Sequence, residues 1–429
     1  MHFEEQFQDQ MARLFPENNA GLARTVTFQV TDSCNLRCTY CYQINKAAHK
    51  MDFETAKKFT DILLSDRFDY INTKNSCGII IEFIGGEPLL EIDLITQITD
   101  YFITSMIEMQ HPWATRFRLS ICSNGLLYFD EKWQNYLRRY GKYLSFSISI
   151  DGCKELHDSC RLLPDGSGSY DIAMAGVKDY QENKKGKMGS KMTLAPENIR
   201  YTYKAYRNFI ENGYREINLN CVYEADWTAE HALILYDELK KIADDILENN
   251  LEEELFIAMF QRDYFKAKSE DDVANWCGGT GLMISCDWKG DIYPCIRYME
   301  SSLGTSQKPL IIGNVDVGVG VLQEHKDAIN MLNAIDRRTQ STDECFYCPI
   351  AEGCSWCSAY NYQHFGTPNK RVTNICIMHK ARSLANVYYW NKLYKKHNED
   401  AHFIMNCPKE WALEIISEEE YNMLLNLTK

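Results

Sequence analysis

The chain has 429 residues, 45% of them hydrophobic, and a formal net charge of −14. That length suits two or three domains, or one barrel with an appendage, and the apolar content excludes a disordered polymer. The acidic balance argues against a nucleic-acid surface and mildly favours a neutral or basic partner.

The first ten residues, MHFEEQFQDQ, are acidic and polar and do not read as a signal peptide. No apolar run reaches the roughly 18 residues that span a bilayer. The expectation is a cytoplasmic protein with no membrane and no nucleic-acid partner. Disulfides are rare in that compartment, so clustering among the 17 cysteines points to metal or catalysis.

From 25 to 250, strand-like and helix-like stretches alternate. TVTFQV (25–30) alternates and is β-branched, and MDFETAKKFTDILLSD (51–66) has helical spacing with Asp52 placed as its N-cap. GIIIEFIGG (78–86) reads as a buried strand and LEIDLITQITDYFITSMI (90–107) as a helix. RFRLSICSNG (116–125) and YLSFSISIDG (143–152) are strands that each end in Gly. A helix at 169–183, a strand at 190–196, a helix near 198–212, a strand at 216–224 and a helix near 228–248 complete the series. Six βα units imply a parallel sheet curled into a barrel or partial barrel.

In such barrels, ligands bind where strands end and loops begin. TDSCNLRCTYCYQ follows strand one, GGEP (85–88) closes strand two, SNG (123–125) strand three and SIDG (149–152) strand four. Four unusual loops therefore meet on one face. The segment 277–380 differs: it is rich in Cys, Gly and Trp and suits a small domain held by metal. The expected division is an N-terminal extension (1–24), the barrel (25–250), a bridge (251–276), the Cys-rich domain (277–380) and a helical tail (381–429).

Cys34, Cys38 and Cys41 follow a C-x3-C-x2-C spacing. Three thiolates are one short of a tetrahedral zinc site and one short of a fully ligated iron–sulfur cube. His49 is an option for a fourth zinc ligand. Asn35, Arg37 and Thr39 make the stretch a polar loop, not a core segment. The favoured reading is a [4Fe–4S] cluster whose open iron chelates a small molecule.

This spacing, with Tyr40 before the last cysteine, then GGEP and an Asn-Gly strand end, resembles the radical S-adenosylmethionine (SAM) enzymes over roughly 25–225. The resemblance implies a partial (β/α)6 TIM-like barrel. It also implies that SAM binds the open iron, that an electron from the cluster cleaves its sulfonium C–S bond, and that the 5′-deoxyadenosyl radical abstracts hydrogen from a C–H bond. On the same resemblance, Tyr40, Gly85, Gly86, Glu87, Asn124, Ser149 and Arg161 surround the cofactor. The two glycines let the backbone approach the SAM amino group. Ser149 and Arg161 hold its carboxylate, for which an arginine fork is suited. Asn124 touches the ribose, and Asp151 either faces substrate or caps its loop.

Cys277, Gly290 and Cys295, then Cys345-x2-Cys348-x5-Cys354-x2-Cys357, then Cys376, resemble the SPASM extension that follows many such barrels. Its usual pattern has three residues, not two, before the cysteine matching Cys357. The resemblance implies that Cys277, Cys295 and Cys357 hold auxiliary cluster I, with Cys286 a candidate fourth ligand. Cys345, Cys348, Cys354 and Cys376 would hold auxiliary cluster II. A short β-hairpin is expected in this domain, and a pair of structural zinc sites is the alternative.

The stretches WCGGTG, GDIYPCIRYM and GCSWCSAYNYQ look most like the ribosomal-peptide maturases. The implied function is hydrogen abstraction from a Cys-containing precursor peptide to form thioether or carbon cross-links. The implied cofactors are three [4Fe–4S] clusters and SAM, with flavodoxin or ferredoxin as reductant. The 24 residues before the first strand are too few for a winged-helix leader-binding domain, so leader recognition is expected elsewhere. The alternatives are an anaerobic sulfatase-maturating enzyme and a non-catalytic electron carrier. The first resembles enzymes with an aspartate base directly after the second cysteine of the extension, where this chain has Ile296; Asp226, Asp287 and Asp291 are other candidate bases. Should an epimerase be meant, Cys153, Cys160 and Cys221 are candidate hydrogen donors.

Overall fold

A computed structural model describes residues 24–43, 47–65, 78–184, 188–273, 277 and 283–429. The N-terminal extension up to residue 23, Cys77 and most of WCGGTG lie outside the described residues.

Four parallel strands carry the first half: β1 (Arg24–Thr31), β2 (Ile79–Gly85), β3 (Phe117–Ser123) and β4 (Leu144–Ile148). Each is followed by helix, beginning with Phe53–Leu64, Ile92–Glu108 and Glu131–Tyr140. Asp52 caps the first of these, accepting the Thr55 amide at 2.7 Å. The remaining barrel strands are short: β5 (Met192–Leu194), β6 (Glu216–Ile217) and β7 (Leu219–Cys221). β5 pairs with β7, so the sixth expected strand is broken in two. β6 pairs with β8 (Phe256–Ile257), a strand inside the expected bridge.

β1, β3 and β4 alternate apolar and polar side chains, while β2 also places Ile80 and Ile84 on the inner face. Val26, Phe28, Val30, Ile79, Ile81, Phe83, Leu119, Ile121, Phe146 and Ile148 are buried on the outer face, under the helices. Phe28 anchors this layer, its ring 5.0 Å from Phe59 and 6.3 Å from Phe102, centroid to centroid. The inner face carries Thr27, Glu82, Ser120 and Ser145, which follow one another across the register. A filled barrel interior is built of bulky branched side chains. This one is polar.

The Cys-rich segment is joined to the barrel sheet. β9 (Met283–Cys286) runs parallel to β1, and β10 (Asp291–Tyr293), β11 (Gly313–Asn314) and β12 (Gly318–Val319) continue the sheet antiparallel. β9 and β10 form the expected hairpin. Asp287 accepts the amides of Lys289 and Asp291 in its turn, and Gly290 supplies a φ of +82°. The C-terminal helix Cys376–His397 begins at a cysteine and crosses the expected boundary at 380, so the tail is continuous with the Cys-rich segment. Its face Leu384–Tyr388 is buried, and Tyr388 reaches Asp244 of helix Ala229–Glu248 at 2.8 Å. Among the described residues no helix is long and apolar enough to cross a membrane.

Candidate functional site

The loop after β1 holds Cys34, Cys38 and Cys41, all half-buried. Its base is closed by Asp32, which accepts the His49 amide at 2.8 Å and holds His49 Nδ1 at 2.9 Å. The His49 ring stacks on Trp288 at 4.2 Å. Asp32 and Trp288 thereby hold the His49 ring at the base of the loop. Two amides of the loop, Arg37 and Thr39, donate to the carbonyls of Leu162 and Cys160 at 2.8 and 3.0 Å.

The end of β2 lies directly beneath. A Cβ on Gly86 would sit 2.2 Å from the Ser33 carbonyl oxygen and 2.8 Å from Cys34 Cβ. Glycine is therefore demanded here by the cysteine loop itself, a reason distinct from the expected approach of a cofactor amine. Glu87 is fully buried and joins the ends of β2 and β3. Its carboxylate accepts the Leu89 amide at 3.0 Å, Ser123 Oγ at 2.9 Å and the Asn124 amide at 2.8 Å. Burial raises its pKa, and these donors act against that rise. Asn124 in turn donates from Nδ2 to Asn35 Oδ1 at 2.6 Å, tying the Asn-Gly turn to the cysteine loop.

Ser149, just past β4, faces inward with Oγ 3.4 Å from Cys122 Sγ. Asp151 is completely buried and receives Arg161 Nε at 2.9 Å and the Tyr40 hydroxyl. The Arg161 guanidinium lies over the Tyr40 ring at 5.5 Å, within electrostatic range of Cys38. Arg161 therefore spends its Nε on an internal carboxylate, where the resemblance implied a cofactor carboxylate. Asp151 is the centre of a buried ion pair and does not merely cap its loop. His157 accepts the Asp151 amide at Nδ1 (3.3 Å), so its Nε2 carries the proton toward Ser169 Oγ (3.0 Å), which donates to the Arg161 carbonyl at 2.7 Å. Burial and the nearby Arg161 push the His157 pKa down to about 4.

The inner face of the strands supplies residues that sequence reasoning passed over. Glu82 accepts Thr27 Oγ1 at 2.8 Å. Lys191, exposed and just before β5, lies within electrostatic range: Cys122 raises its pKa most, desolvation opposes, and Glu82 and Glu216 add to the rise. Tyr42 lies at the mouth, its pKa pushed up by burial and then by Cys41, with Glu82 and Cys122 also near. The Arg297 guanidinium covers the Tyr42 ring at 5.3 Å and pairs with Glu224, joining the mouth to the Cys-rich segment. The signal that could have found these residues is the period-two polarity of β3 and β4 and the lone Glu82 in the isoleucine run of β2.

The Cys-rich segment sorts its thiols into two groups. Cys295 feels Cys277 and Cys357, and Cys357 feels Cys277. Cys376 feels Cys354, Cys345 and Cys348. Cys357 precedes the helix Ser358–Phe365 and Cys376 opens its own, positions where the helix dipole favours a thiolate. Cys286 is not part of either group. It pairs in register with Phe28, which fixes it on the outer face beneath the helices, completely buried, with Asp287 and Asp291 as its charged neighbours. That placement corrects its candidacy as a cluster ligand. Among the described residues no three Cys, His, Asp or Glu side chains close on a single point as one metal ion requires. Cys153 and Cys160 are buried among apolar side chains, and burial pushes the Cys221 thiol up to about 12.

Residues 28–208 match the model of the radical SAM superfamily. The chain is 30% identical over 153 residues to the serine-type anaerobic sulfatase-maturating enzyme of Bacteroides thetaiotaomicron, covering 34% of this chain and 33% of that one. It is 21% identical over 370 residues to the radical SAM cyclopropyl synthase TigE of Paramaledivibacter caminithermalis, covering 83% and 71%. The chain spans 46% and 33% of the first two curated relatives it matches. Among solved structures, anSMEcpe with bound AdoMet and the Kp18Cys peptide superposes with a TM-score of 0.57 at 16% identity, covering 87% of this chain and 98% of that one. SuiB of Streptococcus suis, bound to precursor peptide SuiA, superposes with a TM-score of 0.54 at 15% identity, covering 86% and 80%. At such identity these two structures establish the fold alone. The α/β sheet of parallel strands, the polar strand-end face and the matched span agree: over residues 28–208 this chain carries a radical SAM domain.

Proposed function

We propose that this chain is a radical SAM peptide maturase that abstracts hydrogen from a ribosomally made precursor and forms a thioether or carbon cross-link in it. The observation that carries this reading is the meeting of the cysteine loop, Glu87, Asn124, Ser149 and the Asp151–Arg161 pair at one end of β1–β4, above a polar interior. The superfamily uses a [4Fe–4S] cluster and SAM. Cys34, Cys38 and Cys41 have the donor chemistry for that cluster, and SAM when bound supplies the 5′-deoxyadenosyl radical. The chain's own residues do the positioning. Glu87 fixes the ends of β2 and β3, Asn124 holds the cysteine loop through Asn35, and Arg161 with Tyr40 braces the loop from the side. Ser149 is left facing the interior as a contact for the cofactor's carboxylate.

Glu82 and Lys191 line the space where a substrate side chain would enter, and Tyr42 with Arg297 frames its mouth. The two thiol groups fit auxiliary clusters I and II. A precursor peptide as partner is supported by SuiB, whose structure holds SuiA, and by anSMEcpe, whose structure holds the Kp18Cys peptide. A flavodoxin or ferredoxin would deliver the electron.

Sulfatase maturation is the second reading, favoured by the relatives in Bacteroides thetaiotaomicron and Clostridium novyi. Against it, Ile296 is apolar where a base is expected, and Asp287 is spent on the backbone of its own turn and on Tyr293. The test is anaerobic incubation of reconstituted protein with SAM, dithionite and a precursor peptide encoded beside its gene. The expected result is 5′-deoxyadenosine together with a peptide that has lost two hydrogens per new bond. Absence of 5′-deoxyadenosine overturns the enzyme reading; its formation beside an unaltered peptide overturns the substrate. Conversion of a sulfatase-derived peptide to formylglycine would install the second reading.

A further inference from the structure

Around the quartet Cys345, Cys348, Cys354 and Cys376, two arginines are placed with no carboxylate among the described residues to receive them. Arg371 donates from Nη1 to Cys345 Sγ at 3.0 Å, and its guanidinium lies over the Trp356 ring at 5.0 Å. It also lies within electrostatic range of Cys348, Cys354 and Cys376. Arg382, six residues past Cys376 on the same helix, donates from Nη2 to the Ala258 carbonyl at 3.2 Å and lies within range of Cys221 and Cys354. The Nε–H of each arginine is buried and has no hydrogen-bond partner among the described residues. A buried unsatisfied donor on a charged group is costly, and two around one set of thiols call for a common acceptor. The side chains Cys345, Cys354, Trp356 and Arg371 line one pocket.

We propose that Arg371 and Arg382 are positioning residues for an iron–sulfur cluster on this quartet, and that their guanidinium charges and N–H donors set its reduction potential high. The inference rests on the reading that the quartet holds auxiliary cluster II. A cube ligated by four thiolates is already a dianion when oxidised, and reduction by one electron adds further negative charge. Two half-buried cations beside it, one of them donating an N–H to the Cys345 sulfur, favour the reduced form. Arginine suits the task because it stays charged when buried. The neighbouring His379 does not share it: burial first, then Arg382 and Arg371, push its pKa down to about 3, so it remains neutral, bonded to the Ile350 carbonyl at 2.8 Å.

The test is a redox titration followed by electron paramagnetic resonance on the full chain, reconstituted with iron and sulfide, in a Cys34→Ala/Cys38→Ala/Cys41→Ala background that leaves the Cys-rich clusters alone. Iron per chain is measured first. If the Cys345→Ala/Cys354→Ala variant carries as much iron as its parent, the quartet holds no cluster and the underlying reading fails. With that cluster present, Arg371→Gln is expected to lower one midpoint potential by about 60 mV, a tenfold change in the one-electron equilibrium. Arg371→Lys, which keeps the charge and loses the fork, is expected to shift it less, and Arg371→Gln/Arg382→Gln more. Loss of the cluster in Arg371→Gln with retention in Arg371→Lys also supports the charge. Unmoved potentials in every variant, or loss of the cluster in Arg371→Gln and Arg371→Lys alike, overturn the proposal.

Discussion

Replacing Asp151 with Asn should loosen the cysteine loop more than 100 residues away in sequence. Asp151 is 0% exposed and its partner Arg161 11%, so the pair is effectively out of water. Removing one member of such a pair leaves a buried charge uncompensated and costs about 3–5 kcal/mol. The cost falls on the segment 160–162, whose carbonyls receive the Thr39 and Arg37 amides. Opening of those two hydrogen bonds should become between about a hundredfold and a few thousandfold more frequent, at roughly 1.4 kcal/mol per decade. Amide hydrogen exchange at Arg37 and Thr39, read by mass spectrometry on the corresponding peptides, measures it directly. The double variant Asp151→Asn/Arg161→Met removes both charges and should recover most of the lost protection. Wild-type exchange in Asp151→Asn, or no recovery in the double variant, would refute the claim that this ion pair braces the loop.

Gly86→Ala should be tolerated by the barrel yet displace the cysteine loop, because the added Cβ meets the Ser33 backbone at 2.2 Å; the expected readout is loss of iron from the first site with an unchanged circular dichroism spectrum. His157 has its folded pKa depressed to about 4, below the ordinary value of about 6.5, so its contribution is present above pH 6.5 and is lost as pH falls toward 4. That loss amounts to about 3 kcal/mol, and thermal melts at pH 7 and pH 5 should differ less in His157→Gln than in the parent. Lys191→Met should weaken binding of the modified peptide and leave 5′-deoxyadenosine formation without peptide unchanged, checked by isothermal titration and product assay. Cys286→Ala should keep the full iron content while Cys357→Ala loses it, since Cys286 faces the helices with Phe28.

What could be read from the sequence was what is local in the chain. Cys34, Cys38 and Cys41 lie inside one loop, so spacing alone exposes them, and Asp52 announces its helix from three residues away. Partners that meet through the fold were out of reach. Nothing near Arg161 in sequence says that Asp151, and not a ligand, takes its Nε. Nor does anything near residue 283 reveal that β9 pairs with β1, the register that turns Cys286 outward. The polar interior was legible in principle. In LSFSI and FRLSICS a serine or cysteine stands at alternate positions, and Glu82 interrupts an isoleucine run in β2. Read only as strand propensity, that alternation identifies the elements and overlooks the face that substrate would meet. The helix Glu131–Tyr140 was passed over in the same way, although Trp133, Tyr136, Leu137 and Tyr140 fall at helical spacing and are buried.

The distribution of arginine makes the strongest connection between the two halves of the molecule. The chain carries a net charge of −14, yet each cysteine group has its own guanidinium: Arg161 near Cys38, Arg297 near Cys357, Arg371 and Arg382 near Cys354. Among the described residues Cys286, packed as a small apolar residue, has the carboxylates Asp287 and Asp291 beside it, whereas Cys221 shares Arg382 with Cys354. Burial raises the Cys354 thiol to about 11 and the Cys376 thiol to about 12, so several thiolates cannot coexist there on solvation alone. Cations at these three places are what anionic iron–sulfur units would require, and they offset the repulsion that an acidic chain would otherwise impose on them. The same logic explains why Arg161 can be both a brace for the loop and a charge beside it. Asp151 neutralises only part of its field, and the remainder falls on Cys38, the thiol whose neighbour Tyr40 shares the same carboxylate.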